Sequence, residues 1–159
     1  PMVHQAIEQL LRDTKWPGGD FMIIDLPPGT GDIQLSLSQL CELTGSVIVS
    51  TPQDVALIDA IKAAQMFTKV EIDVLGIVEN MSFFTCPKCG EETAIFSQHG
   101  AEEACKKIQA PFLGAIPIEL QVRKGGDEGK PLMASDQDSP ATASFNKIAD
   151  NLVKVLEEN

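Results

Sequence analysis

A chain of 159 residues, 43% hydrophobic and 22% charged, is long and apolar enough to bury a sizeable core in one domain. Its 12 basic against 23 acidic residues leave a net charge of −11, which argues against nucleic-acid and anionic-membrane surfaces, since both need a positive footprint. No apolar run approaches the ~20 residues of a membrane span and no basic-then-apolar signal opens the chain, while four cysteines among so many aliphatic residues suggest reduced, cytoplasmic thiols rather than a disulfide scaffold.

Met2 to Arg12 places Val3, Ala6, Ile7, Leu10 and Leu11 at helical spacing, and Trp16-Pro17-Gly18-Gly19 ends that helix. His4 on it reads as a solvated histidine. Phe21 to Ile24 is an unbroken apolar run, the pattern of a buried parallel strand, and it ends at Asp25. In an open parallel sheet the carboxyl ends of strands form the ligand crevice, so Asp25 is expected at its lip, where a carboxylate holds Mg²⁺ through retained waters. Pro27 and Pro28 stiffen the exit, and Gly29 and Gly31 let backbone N–H groups turn toward an anion. Strand, acid and glycine-rich loop is the order of the second metal-binding motif and switch loop of a P-loop nucleotidase. A strand followed by an ordinary Pro-Gly turn gives the same letters.

Asp32 reads as a helix N-cap, with apolar residues following at Ile33, Leu35, Leu37, Leu40 and Cys41. Ser46 to Ser50 makes a second buried strand. Thr51-Pro52-Gln53-Asp54 reads as N-cap, proline at the first helical position and an acid in the first turn. That helix runs to Met66 or Phe67, with Val55, Ile58, Ile61 and Ala64 as core positions and Gln65 flanking. Val74 to Val78 is a third strand ending at Glu79-Asn80, and Phe112 to Ile116 a fourth, followed by Pro117-Ile118. Asn80 and Pro117 read equally well as a strand-end turn and a breaker. Arg123 to Pro140 is polar and rich in Gly, Asp and Ser, the composition of a mobile surface connection. Ser139-Pro140 starts a last helix with Ala143, Ile148, Leu152, Val155 and Leu156 facing inward. The alternation of helices and strands predicts an α/β three-layer sandwich on a mainly parallel sheet.

Cys86-Pro87-Lys88-Cys89-Gly90 can bend so that both sulfurs meet one metal. A thioredoxin-like dithiol belongs at a strand–helix junction near the start of a βαβ unit, which does not describe this place. A structural zinc needs four ligands, and Cys41, Cys105, His4 and His99 are isolated candidates. Cys41 and Cys105 fall on apolar helix faces, where a small buried thiol is the ordinary outcome. A two-fold dimer would supply four thiolates from two copies of Cys86 and Cys89, enough for a shared [4Fe–4S] cluster, or for zinc.

The segments IIDLPPGTGD, STPQDVAL, GIVENMS, CPKCG and LGAIPIE stand in an order that resembles the Mrp/ApbC family of MinD-related P-loop ATPases, which carry iron–sulfur clusters. The resemblance runs from Pro1 to about Lys154. It implies a P-loop NTPase-like domain over residues 1–159, with a cysteine-containing metal loop at 81–96. It further implies Mg²⁺ at Asp25, γ-phosphate sensing at Gly29, and adenine contacts at Asn80, Pro117 and Ile118. Cys86 and Cys89 would hold a [4Fe–4S] cluster across a homodimer that serves apo iron–sulfur proteins. A MinD-like positioning ATPase with zinc at the same cysteines is the alternative. One departure stands out: nothing here matches the phosphate-binding G-x-x-x-x-G-K-[ST]. Lys124 to Pro131 is the nearest stretch and fails, because Lys124 replaces the leading glycine and Pro131 the metal-binding hydroxyl. The chain therefore resembles the later two-thirds of such an ATPase, and alone it is expected not to hydrolyse ATP.

Overall fold

The computed structural model describes residues 2–27, 31–86, 88–97 and 100–158. In chain order these form α1 (Met2–Arg12), α2 (Asp32–Leu40), β1 (Ser46–Ser50), α3 (Asp54–Lys69), β2 (Val74–Glu79), β3 (Phe84–Thr85) and β4 (Glu92–Thr93). Then follow α4 (Gly100–Ile108), β5 (Phe112–Ala115), α5 (Leu120–Glu128), α6 (Leu132–Ser135) and α7 (Pro140–Glu158). β1, β2 and β5 form a parallel sheet in that order, and β3 and β4 pair as a separate antiparallel hairpin.

Alternation along β2 builds the layers. Ile77, fully buried, packs with Leu57, Ala60, Ala64 and Phe67 of α3 and Ala101, Ala104 and Cys105 of α4. Its neighbour Val78 points the other way, onto a cluster with Leu113, Ile116 and the Phe145, Ile148, Leu152 and Val155 stripe of α7. This is the three-layer α/β sandwich expected from the sequence. Gly76, at φ +154°, lets β5 come close: a Cβ there would stand 2.5 Å from Leu113 Cγ and 2.8 Å from the Pro111 carbonyl.

Several expectations are corrected. Phe21–Ile24 is not a strand. Phe21 and Ile23 are exposed, at 67% and 89%, and no strand among the described residues lies beside the run. A continuous apolar sequence marks a segment suited to burial, but burial also requires neighbours on its edges and faces. β1 is open in the same way: Ile48 is buried, whereas Val49 is 62% exposed, because α7 covers the β2–β5 part of that face and not β1.

Gly31, not Asp32, occupies the N-cap position of α2. Gln53 occupies that of α3, after a buried Pro52 whose carbonyl accepts the Ser97 hydroxyl. The expected core face of α3 holds in part: Ala64 is buried and Ile61 packs against the core, but Leu57 and Ala60 are inside where Val55 and Ile58 were expected. In α7, Ala141 and Thr142 are buried instead of Ala143. The expected connection 123–140 holds most of α5 and all of α6. Arg123 and Asp127 pair at 2.6 Å one turn apart on α5, which ends at a left-handed Gly129. In α1, Ala6 and Leu10 are exposed despite their helical spacing.

Candidate functional site

The site lies where β2 and β5 end. β2 runs into Asn80, whose backbone N–H donates to the Ser50 carbonyl at 2.7 Å, holding the ends of β1 and β2 level. The Asn80 side-chain carbonyl accepts the Met81 N–H at 2.9 Å and supports Met81 at φ +56°. That bond occupies one lone pair of the Asn80 oxygen and leaves its NH₂ out of the contact. Beyond Met81, the chain pairs with the segment leaving β5: the Ser82 N–H donates to the Ile116 carbonyl (3.0 Å), and the Ile118 N–H to the Phe83 carbonyl (2.7 Å). Pro117 is buried and Ile118 half-buried between them. Three of the residues expected at a nucleotide base, Asn80, Pro117 and Ile118, thus come together.

The same bonds anchor the cysteine hairpin. Phe84 pairs with Thr93 and Thr85 with Glu92. At the tip the Cys86 N–H donates to the Glu91 carbonyl, and the Gly90 N–H to the Cys86 carbonyl, both at 2.9 Å, with Gly90 at φ +74°. This turn folds the backbone over the first sulfur. N–H groups of Cys89 and Lys88, with the Cys89 thiol, hold the Cys86 thiol below the ordinary range by favouring its thiolate. Cys86 is half-buried and Cys89 exposed. In the segments flanking them Met81, Phe84, Ile95 and Phe96 stay exposed, apolar surface on a strongly acidic chain. Among the described residues no three Cys, His, Asp or Glu side chains gather in a metal-holding group. Cys86 and Cys89 thus stand as two thiols on one turn, with no third such side chain grouped with them among the described residues.

The other expected residues belong to other segments of the chain. Asp25 is exposed, followed by Leu26, which packs against the α3–α4 side of the core. The Pro27 carbonyl next to it accepts the side-chain amide of buried Gln34 in α2 at 3.0 Å. Gly29, Pro87 and His99 lie outside the described residues. Cys105 is buried on α4, its thiol pushed up to about 11, first by desolvation. Cys41 caps the end of α2, donating its thiol to the Leu37 carbonyl. Neither adds a ligand to the Cys86–Cys89 pair.

Two acidic residues escaped the sequence reading. Glu79 is 4% exposed, yet an acid closing an apolar strand looks like a residue emerging into solvent. The available signal was a hydroxyl three residues on, Ser82, whose Oγ donates to Glu79 Oε1. Glu119 accepts the Ala141 N–H in the first turn of α7 at 2.9 Å, as Glu79 Oε2 accepts that of Ala101 in α4, also at 2.9 Å. Each carboxylate thus meets the positive end of a helix 22 residues downstream.

Residues 1–153 match the family described as ParA: NUBPL iron-transfer P-loop NTPase. The chain is 50% identical over 157 residues to the iron-sulfur cluster transfer protein NUBPL of Dictyostelium discoideum, covering 99% of this chain and 49% of that protein. It is 46% identical over 156 residues to the iron-sulfur cluster carrier protein of Escherichia coli (strain K12), covering 98% of this chain and 42% of that protein. It thus spans about half the length of these relatives or less. In structure it is similar to a nucleotide-binding protein of Archaeoglobus fulgidus in complex with ADP, with cobalt, at TM-score 0.76 and 38% identity over 91% of this chain and 58% of that one. The Pyrococcus furiosus cell division ATPase MinD shares the fold, at TM-score 0.67 and 23% identity over 96% of this chain and 57% of its own. With a matching sequence along nearly its whole length and a parallel α/β sheet of the same kind, the chain belongs to the NUBPL iron-transfer P-loop NTPase family.

Proposed function

We propose that this chain is the cluster-bearing part of an ATP-dependent iron–sulfur carrier that holds a [4Fe–4S] cluster between two copies of itself and passes it to apo proteins. The observation that carries the reading is the Cys86–Cys89 turn. Two thiols sit at an accessible hairpin tip, one of them stabilised as thiolate by backbone N–H groups, and the described residues offer no third ligand. A four-thiolate shell then requires a second chain, and Met81, Phe84, Ile95 and Phe96 are apolar surface that a two-fold partner would cover. A cluster at such a seam is cargo, bound by half-shells that can part. The names of the relatives from Dictyostelium discoideum and Escherichia coli support iron–sulfur transfer.

The nucleotide is assigned to the crevice at the ends of β2 and β5. The Asn80 amide NH₂ would donate to an adenine edge, with Pro117 and Ile118 against the ring. Asp25 is the candidate for holding Mg²⁺ through water, with the Gly29 backbone toward the γ-phosphate. An exposed carboxylate after an apolar run fits a hydrated cation. Mg²⁺ would offset phosphate charge during transfer. These 159 residues form one domain with a metal loop at 81–96, and they contain no G-x-x-x-x-G-K-[ST] segment. By themselves they should hydrolyse ATP at a negligible rate, and a robust rate from the purified chain would refute that assignment. Four free cysteines suit a reducing, cytoplasmic setting.

Anaerobic reconstitution with iron and sulfide tests the main reading. It predicts broad visible absorbance, one cluster per two chains, lost in Cys86→Ser. The MinD fold favours a second reading, a positioning ATPase with structural zinc at the same cysteines. A colourless protein that keeps one zinc per two chains and takes up no cluster would establish that one.

A further inference from the structure

The buried carboxylate of Glu79 is not used by any role assigned above. Its residue closes β2 between the two halves of the candidate site: Asn80 follows it, and the hairpin strand β3 starts five positions on at Phe84. The main chain of Glu79 is fixed in the sheet, its carbonyl accepting the Ile116 N–H at 2.8 Å. The side chain then reaches in two directions, one oxygen to the Ser82 hydroxyl at the root of the hairpin and the other to the Ala101 N–H at the start of α4. Burying a carboxylate is unfavourable unless donors and a positive dipole meet it, and this one has both.

We propose that Glu79 is a positioning residue that couples the nucleotide edge to the cysteine hairpin, with its bond to Ser82 as the coupling element. The proposal rests on the carrier reading of the site. With the Glu79 backbone held in the sheet, a ligand bound by Asn80 acts on the adjoining Glu79 through its side chain, and the carboxylate passes the change to the Ser82 hydroxyl, from which Cys86 is four residues away. The hairpin root is also held by backbone bonds, Ser82 N–H to Ile116 and Ile118 N–H to Phe83, and these survive removal of the hydroxyl. Ser82→Ala therefore cuts the side-chain link alone. Glu79→Gln keeps both contacts, because its carbonyl can accept from Ala101 while its NH₂ donates to the Ser82 oxygen, whereas Glu79→Ala removes both.

The test uses the full-length protein loaded with Co²⁺, whose thiolate absorbance reports occupancy of Cys86 and Cys89. Release to a chelator is timed with and without ATP, and nucleotide affinity is measured separately. Coupling of ordinary size changes the release rate about fivefold or more on adding ATP. The expectation is that Ser82→Ala and Glu79→Ala bring that ratio to within about twofold of unity, that Glu79→Gln retains it, and that the affinity of Ser82→Ala for ATP is unchanged. A full nucleotide effect in Ser82→Ala overturns the proposal, and so does loss of the effect in Glu79→Gln. If unsubstituted protein binds one Co²⁺ per two chains yet shows no nucleotide effect, the coupling falls and the thiolate reading stands. If Cys86→Ser keeps its cobalt, both fall.

Discussion

The thiol of Cys86 lies under two backbone N–H groups, whereas that of Cys105 is packed between α4 and the sheet. Cys105 is pushed from 9.0 to about 11, so its thiolate fraction at neutral pH is roughly a hundredfold below that of an ordinary thiol. Iodoacetamide at pH 7 should therefore label Cys86 well before Cys105, which it should spare until the protein unfolds, as peptide mapping would show. Cys86 loses thiolate only below its lowered pKa, so on the proposed carrier reading metal affinity at the hairpin should weaken as pH falls through that lowered value. Cys105 has the opposite linkage. Its raised pKa favours the folded state below the unfolded-chain value of about 9, and that advantage is lost as pH climbs toward about 11. Urea titrations across this window should show stability declining less steeply in Cys105→Ala than in the unsubstituted protein.

Between elements, close approach and helix ends set the tolerances. Gly76→Ala would push a methyl into Leu113 and the Pro111 carbonyl at a positive φ, and should destabilise by about 3 kcal/mol in urea unfolding. Glu119→Ala removes the carboxylate that receives the Ala141 N–H and should cost about 1 kcal/mol, without changing the denaturant slope. The central strands were legible because Ser46–Ser50 and Val74–Glu79 are short apolar runs bounded by turn residues, and the long helix α7 because Ile148, Leu152 and Val155 repeat at helical spacing. α5 was not legible. Gly125, Gly126 and Asp127 argue against a helix one residue at a time, and the Arg123–Asp127 pair and left-handed Gly129 emerge only once the turn exists. At the site, the cysteine pair and Asn80 stood out as motifs. Glu79 did not, because its role depends on α4 arriving from 22 residues away.

Across the whole molecule, burial does not follow hydrophobicity alone. Ile23 and Ile77 are the same residue in similar apolar runs, one 89% exposed and the other fully buried. Ile77→Ala should lose about 2–5 kcal/mol of stability, while Ile23→Ala in this 159-residue chain should change it by less than about 0.5 kcal/mol. A large loss at Ile23 in urea unfolding would mean that the run is covered in solution. The pattern of Phe21–Ile24 records a suitability for burial that the described neighbours do not satisfy, which is why sequence and structure part there. The β3–β4 hairpin differs in kind, because it has almost no interior. Two residues pair on each side, and neither β4 residue is buried. An ion gripped by Cys86 and Cys89 would become the missing centre of that small ribbon, so that loading the cargo and stiffening its holder are a single event. Protease cuts between Thr85 and Glu92 should then vanish on loading and return the moment the cargo departs.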